Sequence, residues 1–348
     1  MKNNRTYHLF LLLSTFTRGL VETFSLVLLY NKGFEMREIL VFLLIMYLLG
    51  ILINYFSLKF NYKVMLIISS IFFGTSYLYL SGNDISIFLL AIFLSLSNYS
   101  YHSIRHYLGL VMLKKRDARL LVNIMNIGMI LSSIFGVLII SKLPLIIVSI
   151  ILIVLIALSL LPIFKLKINP PKGDRKVIIS KRKIIFNILD QFKVIFMELQ
   201  PLFLYLYVND SIVYVGIFNI VISIASLIVV YFISSKLDRG NYFRYITLLL
   251  GVVLFLKINV KSSMVLLIIA FFEGIFVKLY DGYSLSYLYD IKDIDIKKYL
   301  IMEETIFFIS KSIIMFLFIG FNLNLKLILL ISIVGIIFSG LFYEEKSA

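Results

Sequence analysis

The sequence predicts an all-α polytopic membrane protein whose twelve transmembrane helices form two pseudo-symmetric six-helix bundles. Three observations predict it. Of 348 residues, 61% are hydrophobic and 15% charged, with a mean hydropathy of +1.01, whereas soluble domains carry about 25% charged residues. Apolar segments of about 20 residues, enough to span a bilayer, recur along the whole chain. The cationic residues gather in alternate loops.

In chain order the segments fall near 7–30, 38–58, 64–80, 85–110, 120–140, 144–164, 184–208, 212–235, 243–258, 263–289, 299–320 and 326–343. Almost nothing remains for an extramembrane domain. The first is longer and more charged than a signal peptide, and no small-residue cleavage site follows it, so it is expected to stay. Cysteine is absent, so neither a disulfide framework nor a thiolate metal site is expected.

The formal net charge is +15. With the N-terminus inside, most of the 34 Lys and Arg fall on one side: Lys2, Arg5, Lys59, Lys63, the KKRDAR run at 114–119, the 165–183 connector, Lys236, Arg239, Arg244, Lys292, Lys297, Lys298 and Lys346. Lys32, Arg37, Lys142, Lys257, Lys261 and Lys326 fall on the other. This is the positive-inside asymmetry of an even number of spans, with both termini cytoplasmic in a cell membrane. A nucleic-acid surface would gather its cations on one soluble face, so no such partner is expected.

The stretch FKLKINPPKGDRKVIISKRK (164–183), with Pro170, Pro171 and Gly173 in a basic run, reads as a cytoplasmic linker. A bundle over 1–164, a linker over 165–183 and a second bundle over 184–348 follow. A faint repeat accompanies the division. Tyr-Phe pairs at 55–56 and 231–232 share an offset that also relates Glu22 of span one to Glu198 of span seven. Such repeats are common in secondary transporters.

On these features the chain resembles the major facilitator superfamily over its whole length, with degenerate motifs. The family's loop between spans two and three reads roughly Gly-x-x-x-Asp-Arg/Lys-x-Gly-Arg/Lys-Arg/Lys. Here NYFSLKFNYK (54–63) keeps Lys59 and Lys63, with Leu58 in place of the acid and Asn61 in place of the glycine. Asn tolerates the left-handed backbone of a tight turn. The corresponding loop of the second half has Ser235 before Lys236, with Arg239 beyond. The resemblance implies that Lys59, Lys63, Lys236 and Arg239 belong to gating loops. Gly128, Ser132, Ser133 and Gly136 on span five are loosely similar to the glycine-rich motif of the family's drug exporters, without its proline. They read more simply as a small-residue face for close helix packing.

A charge at the bilayer centre costs about 2.5–3.5 kcal/mol on insertion scales, so charges within spans are informative. Span one holds Arg18 and Glu22, and span four His102, Arg105 and His106. Span seven holds Asp190, Lys193 and Glu198, span ten Glu273, Lys278 and Asp281, and span eleven Glu303, Glu304 and Lys311. The other spans show none in their interiors. The resemblance implies that helices one, four, seven and ten line a central cavity, and the charges follow that division with span eleven added. Ser14, Arg18, Glu22 and Ser25 form one stripe, and Glu273, Lys278 and Asp281 fall within an arc of about 140°. These charges are therefore expected to face a shared water-filled cavity. Pro201 should kink span seven.

Intramembrane carboxylates are functional by default, so Glu22 and Glu198 are the expected proton carriers, with Arg18 spaced to pair with Glu22. His102 and His106 match an i, i+4 metal-ligand spacing. Arg105 between them disfavours a cation, so no metal is expected, and an anionic or hydroxyl-rich ligand suits the trio better. The plainer alternative is a satisfied polar cluster near the outer half of the helix. Lys278, Lys311, Glu273, Asp281 and Glu304 could form an interdomain salt-bridge network or hold substrate. Tyr99, Tyr101, Tyr280 and Tyr283 flank these positions. The resulting expectation is a monomeric secondary transporter, not an enzyme and without a cofactor. It would move a small polar or zwitterionic solute, or a drug-like compound, by proton-coupled alternating access. The alternatives are a lipid-linked transferase, whose trace is a bare Asp-x-Asp at 293–295, and a non-transporting receptor on the same fold.

Overall fold

The structure is a computed structural model, which describes residues 2–112, 118–166, 177, 179–232, 242–288 and 295–343. Thirteen α-helices account for twelve spans, and there is no strand among the described residues. Helices α1 (Lys2–Glu22) and α2 (Ser25–Asn31) share the first span, which is interrupted by a two-residue turn at Thr23 and Phe24. The remaining first-half spans are α3 (Met36–Lys59), α4 (Tyr62–Leu80), α5 (Ile87–Met112), α6 (Ala118–Lys142) and α7 (Leu145–Phe164). The second half has α8 (Lys181–Tyr207), α9 (Ile212–Phe232), α10 (Phe243–Asn259), α11 (Ser263–Leu288), α12 (Ile296–Gly320) and α13 (Leu325–Phe342).

Apolar side chains give most of these helices their length. The 20 residues of α7 reach about 30 Å at 1.5 Å each, the thickness of the hydrocarbon core. Among the described residues, nine segments are long and apolar enough to cross a membrane by length and composition alone. The others are α8, α10 and α12. Helix α10 is 17 residues long, and α8 and α12 carry charges that are paired inside the bundle. Local caps set the ends. Ser180 accepts from the Lys183 amide, Asn324 from that of Leu327, and Asp295 from those of Lys297 and Lys298, which satisfies amides left without a helical partner. Asn61 does the same for Lys63 with an extended backbone, φ −66° and ψ 124°. The left-handed turn expected there is therefore not used. Asn61 acts as a cap.

The two halves repeat one another. In the first, α1 packs on α6 and α7, α5 packs on α3 and α4, and α4 packs on α7. In the second, α8 packs on α12 and α13, α11 on α9 and α10, and α10 on α13. Each pair has its counterpart six spans later. The halves meet through α3 against α12 and α6 against α9, two contacts that the same six-span shift exchanges. An apolar cluster at the end bearing the 165–180 connector joins Leu58, Tyr101 and Tyr107 to Tyr299 and Leu300. At the opposite end, Phe24 and Val137 join Leu204, Val215 and Phe218. Exposed apolar side chains run the length of α7 (Ile146, Ile150, Ile153, Leu158, Leu161) and α10 (Leu248, Val252, Phe255), as lipid-facing helices require. On α1, α5 and α8 they are few among the described residues: Leu9, Phe88, Leu89, Ile185, Ile188 and Tyr207.

Candidate functional site

Between the halves, Glu198 of α8 forms the central contact. Tyr47 of α3 donates its hydroxyl to Glu198 Oε2, and Lys311 of α12 lies 3.4 Å from Oε1. The Lys311 ammonium also sits 5.0 Å from the centre of the Tyr47 ring. One carboxylate is thus held by a cation of its own half and by a phenol of the other. Nearby, Tyr99 of α5 meets Phe308 of α12 edge-on, with ring centres 4.5 Å apart.

Toward the connector end, α5 presents three side chains in one row. Arg105 donates through one amino group to His102 Nδ1 at 2.9 Å and His106 Nε2 at 3.3 Å. His106 Nδ1 is 2.9 Å from Glu304 Oε1 on α12, at ion-pair distance but without hydrogen-bond alignment. Both imidazoles point a nitrogen at a guanidinium, an arrangement that a metal ion would have to displace. The trio lies in the C-terminal half of α5. In the sidedness expected from the charges this is the inner half, not the outer half anticipated from sequence. A second bridge between halves runs from Lys278 Nζ to Asn126 Oδ1 of α6, 2.9 Å.

Several expected cavity residues point elsewhere. Arg18 turns into the first half, donating to Ser97 Oγ (3.0 Å), Asn98 Oδ1 (3.1 Å) and Ser69 Oγ (2.6 Å). Its guanidinium carbon lies 4.2 Å from the Tyr101 ring centre and 4.6 Å from that of Phe73. Glu22 is 3.6 Å from Arg18 and a third exposed. Glu273 is fully buried against Lys257 of α10, with Nζ 2.8 Å from Oε2 and 3.1 Å from Oε1. Lys257, assigned from sequence to an outer loop, is thus a buried residue of span nine, and the expectation that this span carries no interior charge fails. Helix α10 continues to Asn259, so Lys257 lies within it. Asp281 pairs with Lys193 of α8 at 2.6 Å, which also lies 3.7 Å from Asp190. Glu303 lies 3.5 Å from Lys183. The three charges of α11 therefore serve three partners on three helices and do not form one cavity-facing set.

The loop residues hold local structure. Lys59 donates to Tyr55 one turn back on its own helix, and Lys63 donates to the Phe164 carbonyl at the end of α7, 3.1 Å. Lys236 and Arg239 lie outside the described residues. The small-residue face of α6 fits its plainer reading. A side chain at Gly128 would meet the Leu12 carbonyl, and one at Gly136 the Leu20 carbonyl, both of α1. Sequence reasoning missed Tyr47, Asn126 and Lys257. Only Lys257 carried a signal, as a charge at the edge of an apolar segment.

No family model and no curated protein matches the sequence. The structure, in contrast, superposes on solved transporters. The human organic anion transporter MFSD10 (TETRAN) aligns with a TM-score of 0.72 at 13% identity, over 99% of each chain. A bacterial homologue of the iron transporter ferroportin, solved in an outward-facing state, aligns with a TM-score of 0.63 at 11% identity, over 97% of this chain and 98% of that one. The chain has the major facilitator fold. Within this fold the contacts of Glu198, His106 and Lys278 lie where the two six-helix halves meet.

Proposed function

We propose that this multi-pass membrane protein is a secondary transporter that moves a small polar or zwitterionic solute by alternating access, coupled to protons chiefly through Glu198. The observation that carries the reading is the position of Glu198. It joins Lys311 of its own half to Tyr47 of the other, so its charge state bears directly on how the halves hold together. Protonating the carboxylate would weaken both contacts. Glu22, a third exposed and 3.6 Å from Arg18, is the second candidate. The fold supports transport by analogy, since one solved neighbour is named as a transporter and the other as a homologue of one.

The test is proton flux into proteoliposomes, followed with an internal pH dye, as sugars, nucleosides, amino acids, peptides and cationic drugs are added in turn. One chemical class should drive flux, and Glu198→Gln should abolish the flux while solute exchange persists. If Glu198→Gln and Glu22→Gln both keep concentrative transport with unchanged pH dependence, proton coupling through these residues is wrong.

A further inference from the structure

Two arginines of the first half share Tyr101, with guanidinium carbons 4.2 Å (Arg18) and 5.6 Å (Arg105) from its ring centre. Their donors are used differently. Arg18 commits its amino groups to Ser69, Ser97, Asn98 and Glu22 and is buried inside the bundle. Arg105 directs one amino group at two imidazole nitrogens, and its other amino group and Nε have no partner among the described residues. No carboxylate pairs with it there, although Glu22 lies within electrostatic reach. A guanidinium only donates, so His102 Nδ1 and His106 Nε2 are the acceptors, and the other ring nitrogen of His106 faces Glu304.

A half-buried guanidinium with one edge free is a bidentate receptor for an oxyanion. The imidazoles hold its orientation and bring no negative charge to offset it. We infer that Arg105, held between His102 and His106, receives the carboxylate of a small organic anion, and that Glu304 of the second half occupies the rim of this site until ligand displaces it. The inference rests on the reading above that solute binds between the halves, and it narrows the solute to one bearing an anionic group. Displacing Glu304 from His106 would release a contact between α5 and α12, which links occupancy to movement of the halves.

Binding can be measured without transport, by thermal unfolding of the purified protein in detergent. The probes are benzoate and succinate, their neutral amides, and inorganic phosphate. The carboxylates should raise the midpoint and the amides should not. Arg105→Gln should weaken carboxylate binding by about 10- to 100-fold, Arg105→Lys by less, and Glu304→Gln should strengthen it. Should Arg105→Gln fail to fold, Arg105→Lys and Glu304→Gln carry the test, with opposite signs. Failure of both carboxylates to bind, stabilisation by phosphate alone, or an unchanged affinity in the Arg105 variants overturns the inference. Carboxylate binding without any transport would sink the transport reading alone. Proton-coupled flux of an uncharged solute without carboxylate binding would sink this inference alone.

Discussion

Lys257 and Glu273 lie fully buried in the second half, with the lysine ammonium 4.5 Å from the centre of the Phe218 ring. Two charges in an apolar interior are tolerable because each neutralises the other. Removing one leaves its partner buried and unpaired, which costs about 3–5 kcal/mol, whereas replacing both with apolar groups of similar volume is often near neutral. Lys257→Met should therefore lower the unfolding temperature sharply, and Lys257→Met with Glu273→Met should recover most of the loss. Equal midpoints for Lys257→Met and the unaltered protein would refute the pairing. Arg18 is likewise held within one half, by Ser69, Ser97, Asn98 and the Glu22 carboxylate. Both sites stabilise one half, in contrast to Glu198 and His106, which contact both. The sequence marks Arg18, His106, Glu198 and Glu273 as polar or charged groups in apolar surroundings and cannot separate the two kinds, because the distinction lies in which neighbouring helix each side chain faces.

Among the helices, close approach is set by residues without side chains. Without a hydrophobic drive between helices in lipid, association depends on van der Waals packing, so small residues at crossings matter most. A methyl group added at Gly136 would lie 2.6 Å from the Leu20 carbonyl oxygen of α1, and backbone cannot swing aside as a side-chain tip can. At Gly282 of α11 nothing stands within 4 Å. Gly136→Leu should abolish the folded, monodisperse fraction on size exclusion, and Gly282→Ala should be neutral or add up to about 1 kcal/mol through helix propensity. Equal folded yields for the two variants would sink the packing account. The small-residue run on span five was legible in the sequence as a packing face. Its partner, α1, was not, since a crossing requires two helices and the sequence displays one at a time.

For the whole molecule, the proposed alternating access has the halves part at one end while they meet at the other. At the end opposite the connector, α6 and α9 approach closely: a Cβ at Gly216 would be 3.1 Å from that of Val137, so a small outward shift reaches the roughly 3.5–4.5 Å that a disulfide spans. The chain has no cysteine, so Val137→Cys with Gly216→Cys makes one defined cross-link. Oxidation should stop solute movement and reductant should restore it. Undiminished transport through the cross-linked protein would rule out separation of the halves at this end.

The sequence by itself determined the twelve spans and the two matching bundles, because insertion into a bilayer is decided locally, by windows of about 20 residues and the charges that flank them. The tertiary structure alone decided the partners. Glu273, Lys278 and Asp281 share one helix and one arc, yet they meet Lys257, Asn126 and Lys193 on three other helices. An arc of 140° on a helix in a bundle faces several neighbours, and the reach of each long side chain selects among them. Which charges hold a half together and which stand between the halves is therefore a property of the packed bundle.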